Sequence, residues 1–302
     1  MSSVPPPQVT SSQPEPVPPP APPRRSDTSD EPPWPVWTAP AAVVVGLVVG
    51  VLGSVVVAGI GEAAGTTNTT PAISLISDVV FDLGFVATAL YFASAFGRRP
   101  RPADFGYRRI ALSVGIAAFL LAGLGYFIVT AVYQAFVKLH GTDKLPTDLG
   151  ITTSTAALIG AAIFVCVIAP ICEEFFFRGF IFGALRRWHI MVRGHNIGTW
   201  VAAVETGILF GIAHTGSAAS EYLIPLGFLG FVLCIVRWKT RSLYPCMALH
   251  SVNNSIALGY NELHWNGGEI IGLLVGSLAV IAAVTLPLSS PSRARQAEPG
   301  PA

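Results

Sequence analysis

Two adjacent carboxylates lie deep in an apolar stretch of this sequence, which runs Ala169-Pro170-Ile171-Cys172-Glu173-Glu174-Phe175-Phe176-Phe177-Arg178-Gly179. An ionisable side chain in lipid costs about 2.5–3.5 kcal/mol on insertion scales, so such groups turn toward a bundle interior and tend to mark function. Glu174 and Arg178 stand four residues apart, share a helix face and can pair. Glu173 points about 100° away on the helix and lacks that partner. One acid is thereby neutralised and the other left free, which is the asymmetry acid–base chemistry uses. A purely structural Glu–Arg clamp between helices accounts for the pair equally well. Pro170 has no N–H; it frees the carbonyl of Cys166 and is expected to kink the helix just before the acids.

Two further apolar runs carry polar groups of the complementary kind. One ends Phe210-Gly211-Ile212-Ala213-His214, and the other contains His250-Ser251-Val252-Asn253-Asn254. His250 and Asn254 are four apart and stack on one helix face, with Asn253 close to it. Taken singly, His214 reads as a satisfied core histidine and the His250–Asn254 pair as an interhelical hydrogen-bonding device. Together, a spare Glu, two His and an Asn look like a site. Asp78 and Asp82, four apart on an earlier run, and Glu205 read as structural or interfacial groups.

The elements that must position these residues follow from composition. The chain has 302 residues, 52% of them hydrophobic and 12% charged; a soluble domain carries about twice that charged fraction. A net charge of +1 gives no reason to expect a nucleic-acid partner. Apolar runs recur at 38–60, 73–96, 110–136, 151–183, 199–218, 221–237, 243–260 and 268–288. About 20 apolar residues span a bilayer core as a helix, and most runs reach that length. The fifth, sixth and seventh are short or interrupted by polar residues. The expected fold is therefore all-α, a polytopic transmembrane bundle of about eight helices.

The basic residues test that count. With the N-terminus on the cytoplasmic side, the inside segments hold 15 of the 18 Lys and Arg; only Lys138 and Lys144 fall outside, and Arg178 lies within the fourth run. This is a strong positive-inside asymmetry, and one helix more or fewer would scramble it downstream. Both termini are then expected in the cytoplasm. Residues 1–33 contain twelve prolines, too little apolar material to order itself, and read as a disordered tail. A basic stretch running directly into an apolar one is missing from the beginning, so a secretory signal is not expected. Residues 34–288 form the transmembrane domain, and residues 289–302 a polar tail. Cys166, Cys172, Cys234 and Cys246 sit in apolar runs without a C-x-x-C pair and read as small buried hydrophobes. Arginine outnumbers lysine 15 to 3, a weak pointer to a GC-rich bacterial genome and hence to a bacterial plasma membrane. One tension concerns depth. If the fifth helix began at Thr199, His214 would lie deeper than Glu173 and His250, so a start nearer Glu205 is expected.

The three motifs resemble those of the CPBP family, the CAAX-protease and bacteriocin-processing intramembrane proteases that include the Rce1-type prenyl endopeptidases. The family pattern of E-E-x-x-x-R, then F-x-x-x-H, then H-x-x-x-N is met by Glu173-Glu174…Arg178, Phe210…His214 and His250…Asn254 in order and spacing. The segment from Gly230 through Arg237, Lys239, Thr240, Ser242, Leu243, Tyr244 and Pro245 also looks like the family's stretch before its last motif. The likeness covers about residues 100–260. It implies an intramembrane endopeptidase in which Glu173 is general base on water and His214 holds and polarises that water. His250 and Asn254 would donate to the oxyanion, and Glu174 and Arg178 would form the supporting pair. The implied partners are a peptide or membrane-protein substrate and the lipid bilayer. The family is often labelled metalloprotease, and Glu173, His214 and His250 can supply the three protein ligands of a catalytic zinc. The metal-free scheme is favoured, because a neutral amide such as Asn254 suits an oxyanion hole better than zinc.

Other intramembrane protease signatures are missing: the sequence has no H-E-x-x-H, G-x-S-x-G, G-x-S or G-x-G-D. Two rival readings use the same residues. A non-catalytic scaffold or regulator would keep the polar cluster for helix packing, and a small-solute transporter would use it as a binding site. The transporter should show internal repeats, and none stands out.

Overall fold

The computed structural model describes residues 32–66, 70–137 and 144–289. The tail assigned to 1–33 lies outside these apart from Pro32 and Pro33, and the C-terminal tail lies outside apart from Ser289. Eight principal helices follow one another: α1 (Thr38–Ala63), α2 (Pro71–Phe96), α3 (Leu112–Phe136), α4 (Thr155–Leu185), α5 (Gly198–Ala213), α6 (Ser220–Thr240), α7 (Tyr244–Ile256) and α8 (Gly267–Leu288). Each coincides with one of the expected runs. Among the described residues six are long and apolar enough to cross a membrane, namely α1, α2, α3, α4, α6 and α8. α5 is a shorter apolar helix, and α7 continues without a break into a wide turn over Ala257–Glu262. A small hairpin pairs Met191–Val192 with His195–Asn196 between α4 and α5. The protein is a polytopic helical bundle and an integral membrane protein.

Lipid explains what is left exposed. α1 shows Val44, Val48, Leu52, Val55 and Ile60 on its surface, and α3 shows Leu112, Leu120, Leu121, Leu124 and Phe136. Apolar faces of that size would be aggregation sites in water. The polar and aromatic residues turn inward around α4, where Phe176, Phe180, Ile181 and Phe182 are fully buried.

Helices in lipid gain little from apolar burial alone and pack through small residues that let backbones approach. Two seams work this way. A Cβ on Gly46 would stand 2.6 Å from Phe85 and one on Gly50 2.7 Å from Phe81, which locks α1 onto α2. A Cβ on Gly207 would stand 2.7 Å from the carbonyl of Gly227, and one on Gly211 2.7 Å from that of Leu223. α5 and α6 therefore touch backbone to backbone, and this seam fixes the end of α5 that carries His214.

The loops sort to two ends in the order the alternation requires. At one end Arg187 Nη1 bonds the carbonyl of Trp34 at 2.6 Å, Ser242 Oγ that of Arg108 at 2.9 Å, and Arg109 Nε bonds Ser289 Oγ at 2.8 Å. At the other, the backbone N–H of Lys144 reaches the carbonyl of Ser217 at 3.0 Å, and Tyr133 donates to the carbonyl of Glu221 at 3.0 Å. The segments rich in Arg thus meet one another. Trp34 is fully buried, stacked between Phe105 and Phe180 at 4.8 and 5.1 Å.

Candidate active site

α4 is not a uniform helix. Its hydrogen bonding widens to a π pattern over Phe164–Ile168, returns to α over Ala169–Glu173, and widens again over Glu174–Ile181. π segments arise where a helix must accommodate an extra residue or a lost bond, and they gather at functional sites. Pro170 supplies the cause of the first. The freed carbonyl of Cys166 accepts Ser251 Oγ at 2.7 Å, and the carbonyl of Val165 accepts Asn254 Nδ2 at 2.9 Å. Both donors lie on α7. Buried carbonyls need partners, so α7 is stitched to the distorted part of α4 by the residues of its own motif.

The two acids then fall into different surroundings. Glu174 is wholly buried, and its Oε1 accepts both Arg178 Nη1 at 2.7 Å and His250 Nδ1 at 2.8 Å. The Glu174–Arg178 pair is as the spacing requires. The bond from His250 is additional, since it ties α7 to α4 through the carboxylate. Glu173 keeps 17% of its side chain exposed, and its Oε2 has no hydrogen-bond partner. His250 Nε2 stands 3.8 Å from Glu173 Oε2, and His214 Nε2 stands 4.0 Å from the same atom.

The other ring nitrogens fix the tautomers. His214 Nδ1 lies 2.8 Å from the carbonyl of Phe210, which can only accept, so Nδ1 carries the hydrogen. His250 Nδ1 faces a carboxylate oxygen and carries its hydrogen for the same reason. In the neutral rings both Nε2 atoms are acceptors, and they look toward a third acceptor, Glu173 Oε2. Three acceptors converge and lack a donor among themselves. A molecule with two O–H bonds satisfies two of the three, and a proton on the second imidazole or a cation satisfies the third.

Glu173, His214 and His250 are the residues that would hold a zinc here. Ligands of a tetrahedral zinc at its usual bond lengths lie about 3.3 Å apart, and the Oε2–Nε2 separations here are 3.8 and 4.0 Å. Among the described residues no group of three or more His, Cys, Asp or Glu is arranged to hold a metal ion.

Glu173, His214 and His250 are brought together as the motifs anticipate, on α4, at the end of α5 and on α7. The reason expected for it was wrong. α5 starts at Gly198, not near Glu205. His214 follows its last residue as the C-cap, and the glycine seam with α6 places that end beside Glu173. The expected placement of Asn254 is also altered. One of its N–H bonds is spent on Val165, and its Oδ1 accepts from Asn253 Nδ2 at 3.3 Å. For His250, Nδ1 is committed to Glu174, which leaves Nε2 alone for chemistry.

Phe210 is the residue whose role the motif conceals. Its ring lies 4.2 Å from the Arg178 guanidinium, 4.7 Å from the ring of His214 and edge-on to His250 at 5.5 Å. Its carbonyl orients His214. One residue thus braces three members of the cluster, and a cation over an aromatic face gains most when desolvated. Spacing alone shows only that Phe210 precedes His214 by one turn.

A helical membrane bundle with a free carboxylate between two oriented imidazoles defines the class of the site. Residues 155–256 match the family model described as type II CAAX prenyl endopeptidase Rce1-like, which spans all three motifs and about a third of the chain. The UPF0177 protein YxdF of Lactococcus lactis subsp. lactis (strain IL1403) is 26% identical over 142 residues, covering 45% of this chain and 72% of that protein. No solved structure matches. The motif resemblance to the Rce1-like family is borne out over this segment, and the family implies a membrane-embedded protease.

Proposed function

We propose that this protein is an intramembrane endopeptidase that hydrolyses a peptide bond with water activated by Glu173, without a covalent intermediate. The convergence of a free Glu173 Oε2 with the Nε2 atoms of His214 and His250 supports the reading. Water held there donates one O–H to Glu173 and the other to an imidazole. Glu173 takes the proton as the oxygen adds to the scissile carbonyl. The same proton then passes to the leaving nitrogen as the C–N bond breaks. His214 holds the water. His250 in its imidazolium form donates Nε2–H to the oxyanion while Glu174, on its other nitrogen, stabilises that charge, as a buried carboxylate does for a catalytic histidine elsewhere. The second N–H of Asn254 is the other oxyanion donor. Arg178 and Phe210 hold Glu174 and the two rings in place.

The substrate in this reading is a peptide segment of a membrane-associated protein. The membrane in this reading is a bacterial plasma membrane, with both termini and the Arg-rich loops cytoplasmic by the positive-inside asymmetry. The test compares cells carrying the wild type and Glu173→Gln by quantitative proteomics of membrane peptides. Peptides produced by the wild type should vanish in the variant while the protein remains folded and in the membrane. Unchanged cleavage by Glu173→Gln would remove Glu173 as the base, and with it this reading.

A further inference from the structure

Asp82 is not used by the chemistry above, yet its position is expensive. It lies in the middle of α2, only 6% exposed, and its Oδ2 has no hydrogen-bond partner. A carboxyl group placed like this in a lipid-embedded core persists only with a reason. α2 packs against the Ala169–Glu173 segment of α4, and the charges of Glu173 and Asp78 both act on Asp82. Cys172 feels the charges of Asp82 and Glu173 together. Asp78 is one helical turn before Asp82, is half-buried, and in turn feels the charge of Asp148. Asp148 is exposed, at the end of the short helix Lys144–Asp148. Two residues on, a Cβ on Gly150 would stand 2.4 Å from Pro71, so this segment sits on the start of α2. Burial therefore deepens from Asp148 on an exposed segment, through half-buried Asp78, to buried Asp82 on the helix that packs against the segment of Glu173.

The other elements around Asp82 bring little to pair with it. The one titratable residue of α1 is Glu62, near its C-terminal end. The Thr155–Ile163 part of α4 has none, Phe164–Ile168 adds Cys166, and Ala169–Glu173 adds Cys172 and Glu173. Beyond these, Glu174 and Arg178 are paired with each other. This series of carboxyl groups thus meets no cation that would trap a proton's counter-charge along it.

We infer that Asp82 and Asp78 form a proton path between Glu173 and the aqueous face at Asp148. The inference rests on Glu173 being the base. Hydrolysis leaves a new carboxylic acid beside a Glu173 that has just given its first proton to the leaving nitrogen. Glu173 takes the acid's proton, which yields the product carboxylate. That proton passes to the carboxylate of Asp82, then to Asp78 and to water at Asp148; the released amine takes up a proton from bulk water. Charge and atoms balance, and Glu173 is returned to its basic form. Asp82 and Asp78 act through Glu173 and are positioned to move protons, not to touch the substrate.

The experiment uses the full chain in proteoliposomes with pH set separately on the two sides. The probe is a membrane peptide that the wild type cleaves in proteoliposomes. Changing pH on the Asp148 side alone should alter the wild-type rate. Asp82→Asn should slow turnover about tenfold or more, within the range of lost acid–base assistance, and erase that one-sided response. Asp82→Glu should restore it, and Asp78→Asn, at a half-buried and more tolerant site, should also erase it. Infrared difference spectra should lose an acid-carbonyl band in Asp82→Asn. The inference is overturned if Asp82→Asn and Asp78→Asn keep the one-sided response, whether or not turnover falls, since a packing role would slow the enzyme without touching it. Loss of cleavage in Glu173→Gln alongside that result leaves the base assignment standing; retained cleavage in Glu173→Gln sinks the assignment itself.

Discussion

Replacing Glu174 by Gln keeps the shape of the side chain and removes the charge that Arg178 and His250 share. Both partners contact the same oxygen, at 2.7 and 2.8 Å, and both Glu174 and Arg178 are fully buried. Removing one member of a buried ion pair leaves the other uncompensated and costs about 3–5 kcal/mol. The Arg178 cation then keeps its contact with the Phe210 ring, which offsets about 2 kcal/mol at most, and a neutral amide oxygen in place of the carboxylate. Glu174→Gln alone should therefore be markedly destabilised. The double variant Glu174→Gln with Arg178→Met removes both charges and should regain most of that loss. Its activity should not return with its stability. Gln still accepts the Nδ1–H bond of His250, so the tautomer survives, but a charge-assisted bond weakens to a neutral one. That difference is about 1–1.5 kcal/mol, and turnover should fall by about tenfold at the step where His250 carries charge. Thermal unfolding in bicelles and cleavage by the same preparations give both quantities. Wild-type turnover in the stable double variant would refute the claim that Glu174 works through His250. Wild-type stability in the single variant would refute the buried pair.

Phe210→Leu removes the ring between Arg178 and the two histidines and leaves the carbonyl that orients His214. Truncation should cost about 1–3 kcal/mol in the core and lower turnover with little change in apparent substrate affinity, read by steady-state kinetics. Ser251→Ala and Asn254→Ala separate packing from chemistry. Ser251→Ala strands the carbonyl of Cys166 and should cost about 1–3 kcal/mol of stability with turnover nearly intact. Asn254→Ala strands that of Val165 and should in addition lower turnover about 10²–10³-fold, the usual cost of one oxyanion donor. Equal turnover losses in the two would assign Asn254 to packing alone.

What the sequence makes legible follows from which physics is local. The helices are readable because apolar length and the side of each Arg are properties of the chain itself; even the short α5 and α7 fall where the runs end. The Glu174–Arg178 pair is readable because a four-residue spacing is a distance. The expectation that α5 begins near Glu205 failed because depth was reckoned from helix length alone. The end of α5 is placed instead by Gly207 and Gly211 closing on the backbone of α6, a contact between helices that sequence spacing does not express. The bond from His250 to Glu174 escaped for the same reason. Its signal was present in a weak form, since a buried carboxylate with two oxygens has acceptor capacity beyond one guanidinium. Pro170 was read correctly as freeing the Cys166 carbonyl, but the acceptor's new partner, Ser251, sits 85 residues away.

The third motif is a fastening as well as the proposed source of oxyanion donors. His250 reaches Glu174 in the second π segment of α4, and Asn254, one turn along α7, reaches Val165 in the first. Ser251 fills the place between, on the carbonyl that Pro170 releases. The spacing H-x-x-x-N therefore spans the short α stretch of α4 that holds Glu173, clamping it at both ends. A general base must hold its position to a fraction of an ångström to be effective, and a helix widened on either side of that base would otherwise be free to flex. Pro170 creates the distortion, α7 pins it, and the residues that pin it are those whose remaining N–H and Nε2 face the reaction. In Ser251→Ala the bonds from His250 and Asn254 still hold both ends of that stretch, which is why its cost should fall on stability and not on turnover, and a version of this site without the π segments would have no carbonyls for α7 to hold.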